Sequence, residues 1–164
     1  MTEATPSFAV VGRPNKGKSS IVATLARDDS VHIAPEVGTT RRTRRFPMRI
    51  DGAVLYELVD TPGIQRARAV LAWLQAHCAD ASARPQAVQQ FLARHRDDPQ
   101  YRDECQALEP VVAGAGIIYV VDGSHPFGVD YEAEMEVLRW TGRPSLALIN
   151  PIDSDEFVEQ WRAG

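Results

Sequence analysis

One stretch of this chain has residue types and spacing that suit holding a polyphosphate: Gly12-Arg13-Pro14-Asn15-Lys16-Gly17-Lys18-Ser19. Gly12 and Gly17 can take backbone angles closed to other residues, so the loop can wrap an anion with its N–H groups facing inward. Lys18 is placed to neutralise the terminal phosphates, and the Ser19 hydroxyl to hold a Mg²⁺ that bridges them. Asn15, Lys16 and Ser20 complete the set that faces the ligand. Flanking residues supply the required context. Phe8-Ala9-Val10-Val11 reads as a short buried strand. Ser20 to Ala26 reads as a helix whose N-terminal dipole favours the same anion. This is a nucleotide site.

The elements that position it follow a β/α rhythm. Arg44–Ile50 and Ala53–Val59 read as strands joined at Asp51-Gly52, a two-residue hairpin signal. Gly116–Asp122 is the continuous apolar run of a buried parallel strand, Tyr131–Trp140 an amphipathic helix, and Ser145–Ile149 another strand. A last helix begins near Phe157. Between Ile64 and about Ala113 the pattern turns helical, punctuated by Pro85 and Pro99. Roughly fifty residues exceed a plain connection, so this is read as a helical insertion, about 64–113.

At 164 residues, with 44% hydrophobic and 24% charged side chains, the chain has the size and composition of one globular domain. A net charge of −4 argues against general affinity for nucleic acid or anionic membrane. Cys78 and Cys105 fit no redox or zinc spacing, and His32, His77, His95 and His125 fit no metal-ligand spacing. No apolar run approaches the ~20 residues of a membrane span. The expected compartment is the cytoplasm.

Three further stretches lie where a nucleotide switch would need them: Gly38-Thr39-Thr40-Arg41, Asp60-Thr61-Pro62-Gly63 at a strand end, and Asn150-Pro151-Ile152-Asp153 after the last strand. With these, Phe8 to Asp153 resembles the G domains of the translation-factor-related GTPases, within the Era and MnmE group. It is similar there to bacterial GTPases with a C-terminal region of unknown function. The resemblance implies an α/β P-loop fold, mostly parallel, with an antiparallel edge hairpin and a helical insertion after the second switch. It implies that Thr40 completes the Mg²⁺ shell with Ser19 and Asp60, and that the Gly63 N–H meets the γ-phosphate. Asn150 and Asp153 would recognise guanine. It further implies that the family's closing strand and helix follow residue 164, so that 1–164 is an incomplete G domain.

Departures temper the picture. Pro151 stands where the family has a Lys over the base. Ile64 replaces the water-positioning Gln of Ras-like enzymes, with Gln65 one residue late. Asn15 matches the Asn that helps hold a K⁺ in MnmE-like members, although Lys16 beside it competes for that place. The function expected is Mg²⁺-dependent binding of GTP and GDP with slow hydrolysis, through Lys18, Thr40 and Gly63. The alternative is a non-catalytic nucleotide-binding or scaffold module. A protein effector or a homodimer would use the switch regions. Arg41-Arg42-Thr43-Arg44-Arg45 reads as a solvated strand edge or as a contact patch for RNA, acidic protein or lipid.

Overall fold

Asp51 and Gly52 both take positive φ, 49° and 83°, the backbone that a two-residue hairpin turn between twisted strands requires. They join β2 (Arg44–Ile50) to β3 (Ala53–Asp60), which pair antiparallel. The computed structural model describes residues 5–26 and 43–163. Those residues form a five-stranded sheet that also contains β1 (Ser7–Gly12), β4 (Gly116–Asp122) and β5 (Ser145–Asn150). Strand order is β2-β3-β1-β4-β5, and every pair except the hairpin is parallel. The hairpin puts β2 on an edge, where Pro47 and the exposed Arg44, Arg45 and Arg49 are tolerated.

Alternation along the central strands builds a core on both faces. Ala9 and Val11 of β1, with Ile117, Tyr119 and Val121 of β4, point into the larger cluster. Val10 and Val120 point the other way, against Val22 of α1 (Lys18–Ala26) and Leu58. The larger face is covered by α2 (Ala67–His77), α3 (Arg84–His95), α4 (Arg102–Val112) and α5 (Val129–Trp140). Phe91, Leu74, Leu108 and Val111 supply its fully buried side chains. Helices on both faces are what a parallel sheet needs, since neither side can be left to water.

The segment between β3 and β4 is helical, as read, though its boundaries shift. Pro85 lies in the first turn of α3, where a missing N–H costs nothing. Pro99 sits in a short 3₁₀ turn that starts from an Asp98 cap, and Pro110 is carried inside α4. Similarly, α1 starts at Lys18, two residues before the expected Ser20. Among the described histidines, His77 stacks on Trp73, while His95 lies among Trp73, Phe91 and Tyr101. A short α6 (Val158–Ala163) closes the described chain, and Trp161 packs its ring against Phe127 and Tyr131. Among the described residues no helix is long and apolar enough to cross a membrane.

Candidate functional site

The C-terminal ends of β1, β3, β4 and β5 carry Gly12, Asp60, Asp122 and Asn150. That end of a parallel sheet is where a doubly wound fold places its ligand. Gly12 has φ +146°, and a side chain there would strike the main-chain oxygen of Val120. Gly17 has φ +83°, and a side chain would strike the amide of Asn150. Neither position tolerates a Cβ, which keeps the loop tight against the strand ends. Asn15, at φ 58°, makes the remaining left-handed turn and is exposed. Ser19 and Ser20 follow Lys18 in the first turn of α1, so their N–H groups belong to the helix's anion-attracting end.

Lys18 is 6% exposed, and its Nζ donates to the Arg13 carbonyl at 2.7 Å. Burial pushes its ammonium down to about 8, against the opposing pull of Asp60 and Glu134. The Ser19 hydroxyl donates to Asp60 Oδ2 at 2.8 Å. Two hard oxygen donors at that separation, beside a cradle that excludes side chains, suit a Mg²⁺ with a polyphosphate. Thr61 anchors the same turn, its buried hydroxyl donating to Val10 O at 2.7 Å. Gly63 abuts the phosphate loop so closely that a side chain would collide with Pro14. Next to it the Ile64 N–H donates to Gly12 O at 3.0 Å, and the Ile64 side chain is 1% exposed. Ile64 therefore anchors the turn in the core, a burial that stabilises by about 1.5–3 kcal/mol. Thr40, expected to complete the metal shell, lies outside the described residues, as do Gly38 and Thr39.

Asn150 donates through Nδ2 to the Lys16 carbonyl at 3.1 Å. The Lys16 ammonium meets Asp122 Oδ2 at 2.8 Å, and Ser124 and His125 share the same carboxylate. Burial works against ionisation of Asp122, yet hydrogen bonds from Lys16 and Ser124 hold its carboxyl well below the usual range. Asp153 is exposed, and its N–H approaches Ser124 Oγ at 3.4 Å. It stands five positions before α6 begins at Val158, so it does not cap that helix.

A family model described as a 50S ribosome-binding GTPase matches residues 7–150. The chain belongs to that GTPase family. Over 60 residues it is 53% identical to GTPase Der of Lactobacillus helveticus, a match covering 37% of this chain and 14% of the relative. GTPase Der of Mycoplasma pneumoniae is 44% identical over 59 residues, 36% of this chain and 13% of that protein. The chain thus matches a small part of these curated relatives. Among solved structures it is similar to an Aquifex aeolicus Era variant bound to GDP·AlF4⁻, with TM-score 0.53 and 22% identity. That likeness covers 90% of this chain and 40% of the Era chain. Era in complex with MgGDPNP and a 16S ribosomal RNA fragment gives TM-score 0.60 at 17% identity, covering 96% and 46%. At those identities the shared property is the P-loop GTPase fold.

Several residues around the phosphate loop escaped the sequence reading. Asp122 was read as a strand end; an acidic residue closing a buried parallel strand is the signal that could have found it. Arg13 is held from α5 by Asp130 at 3.3 Å and by Glu134 at 3.6 Å. Glu134 is 2% exposed and accepts from the Tyr119 hydroxyl at 2.8 Å. Burial pushes its carboxyl up to about 7, against Tyr119, Arg13 and Lys18. Its spacing within α5 marks it only as a helix residue, so nothing in the sequence placed it beneath the loop.

Proposed function

We propose that this chain is the nucleotide-binding part of a cytoplasmic switch protein that binds Mg·GTP and GDP and hydrolyses GTP slowly. The observation that carries this reading is the Ser19–Asp60 contact at 2.8 Å beside the buried Lys18, on a loop whose glycines exclude side chains. Lys18 would neutralise the phosphates, and Ser19 with Asp60 and Thr40 would hold Mg²⁺. Mg²⁺ held there would supply charge neutralisation for the polyphosphate. Gly12, Asn15, Lys16, Gly17 and Ser20 line the cradle, and the Gly63 N–H receives the γ-phosphate.

Guanine selectivity is assigned to Asp153, with Asn150 bracing the loop. Asp153 has a carboxylate free to accept two N–H groups from one edge of the base. Pro151 removes the Lys stem that would cover the base, which weakens affinity more than selectivity. Asn15 with a K⁺ would supply charge where Ile64 provides none.

A specific observation favours the second reading, a nucleotide-binding module without turnover: Ile64 is buried and cannot orient water. Partners follow from the switch face. A protein effector or a second copy would read the two switches, and RNA is the partner class suggested by the Era complex and by exposed Arg44, Arg45 and Arg49. Titration of GTP, GDP and ATP with Mg²⁺ tests the reading. GTP and GDP should bind at least tenfold more tightly than ATP, and Asp153→Asn should erase that preference. Equal affinity for all three nucleotides would overturn guanine selectivity.

A further inference from the structure

The N–H groups of Gln65 and Arg66 donate to one and the same oxygen, Glu104 Oε1, at 3.0 and 2.9 Å. Glu104 lies on α4, 2% exposed, and Arg66 is the cap position of α2, which has no side-chain cap of its own. A carboxylate from another helix thus occupies the N-terminus of α2, where two donors would otherwise be orphaned and negative charge is favoured. The neighbouring Asp103 accepts from the Gln65 side chain at 3.5 Å. On the other side, the Ile64 N–H is taken by Gly12 O. Three successive amides are therefore held: the first by the phosphate loop, the next two by α4. The same helix receives the Thr43 hydroxyl on the Gln106 carbonyl at 3.3 Å, at the entrance to β2.

We propose that Glu104 is a positioning residue for the turn that meets the γ-phosphate. By holding Gln65 and Arg66 it keeps Gly63 and Ile64 against the phosphate loop, so the helical segment between β3 and β4 sets the geometry of the second switch. This rests on the GTPase reading above. A residue that merely caps α2 would affect stability alone, whereas a positioning residue separates hydrolysis from nucleotide affinity.

The test uses the full chain with Glu104→Ala and Glu104→Gln. An amide oxygen can accept both N–H bonds, so the Gln variant should keep the single-turnover GTP hydrolysis rate within threefold of the parent. The Ala variant should lose at least tenfold in that rate while GDP affinity stays within threefold. Its Gln65 and Arg66 amides should exchange hydrogen at least tenfold faster. A folded Ala variant with the parent's rate overturns the proposal whatever its amide exchange, as does an equal loss of GDP affinity and rate. Should the Ala variant not fold, Glu104→Asp, one methylene shorter, takes its place under the same criteria. If the parent itself neither binds nor hydrolyses GTP, the functional reading fails, while amide exchange still decides whether the clamp exists.

Discussion

The side-chain amide of Asn150 reaches back across 134 positions to donate to the main-chain oxygen of Lys16. It can do so because Gly17 has no side chain; a Cβ there would occupy the amide's place. The end of the last strand is thereby tied to the phosphate loop, and a residue expected to read the base also holds the loop in shape.

Removing that tie should weaken nucleotide binding even though Asn150 carries no charge. Asn150→Ala leaves the part-buried Lys16 carbonyl without its donor, a loss of about 1–3 kcal/mol. GDP affinity should fall roughly tenfold or more, which corresponds to ~1.4 kcal/mol. Calorimetric titration measures it. An unchanged Kd would mean that the loop holds its shape without β5.

Lys18 should report its own encounter with phosphate through protons. Its ammonium, lowered to about 8 by burial, is largely neutral at pH 8.5, and a polyphosphate beside it restores the charge. Binding of Mg·GDP at pH 8.5 should therefore take up part of a proton, and binding at pH 7 should take up almost none at this group. Binding heats in buffers of different ionisation enthalpy give the number. Lys18→Ala and Ser19→Ala should each weaken binding more than tenfold, above ~1.4 kcal/mol. Release of protons at pH 8.5, or parent-like affinity in both variants, would remove Lys18 from the phosphate site.

Glu134 makes stability depend on pH in a defined window. Its folded-state carboxyl titrates near 7, above its ordinary value of 4.5, so the stability it contributes is complete below about 4.5. That contribution is lost as pH rises through about 7. Glu134→Gln is neutral throughout. Relative to the parent, the Gln variant should gain on the order of 2–3 kcal/mol between pH 5 and pH 8. Denaturant unfolding of both proteins at the two pH values checks this. A difference that does not change with pH would place the Glu134 carboxyl in its ordinary range.

Potassium should accelerate hydrolysis if Asn15 helps to hold it. Asn15 is exposed in the left-handed turn of the loop, and the Lys16 ammonium beside it is drawn to Asp122 at 2.8 Å. That pairing takes a competing cation away from the turn. Single-turnover GTP hydrolysis in KCl should exceed that in NaCl at equal ionic strength by at least threefold, and Asn15→Ala should abolish the difference. Identical rates in both salts would leave a partner-supplied residue as the source of transition-state charge.

The sequence by itself determined the phosphate loop, the hairpin turn and the places of the strands along the chain. Each of these is a local code: two glycines at fixed spacing, Asp51-Gly52 between alternating strands, and continuous apolar runs for strands buried on both faces. The sequence also marked Asp60, Gly63 and Asn150, because each closes or follows a strand whose pattern is legible. Tertiary structure alone decided which distant side chains brace those local pieces. Glu104 and Glu134 lie within helices whose periodicity reports only which face is buried. Whether a buried carboxylate meets a helix N-terminus, as Glu104 does, or a tyrosine and an arginine, as Glu134 does, depends on how helices far apart in sequence dock on the sheet. Lys16 shows the same division. Its place in the loop is local, but its engagement with Asp122 exists because parallel pairing of β1 with β4 brings the two strand ends side by side. Hydrogen bonds and ion pairs that span many residues leave no period in the chain, so only the packed sheet and its helices reveal them.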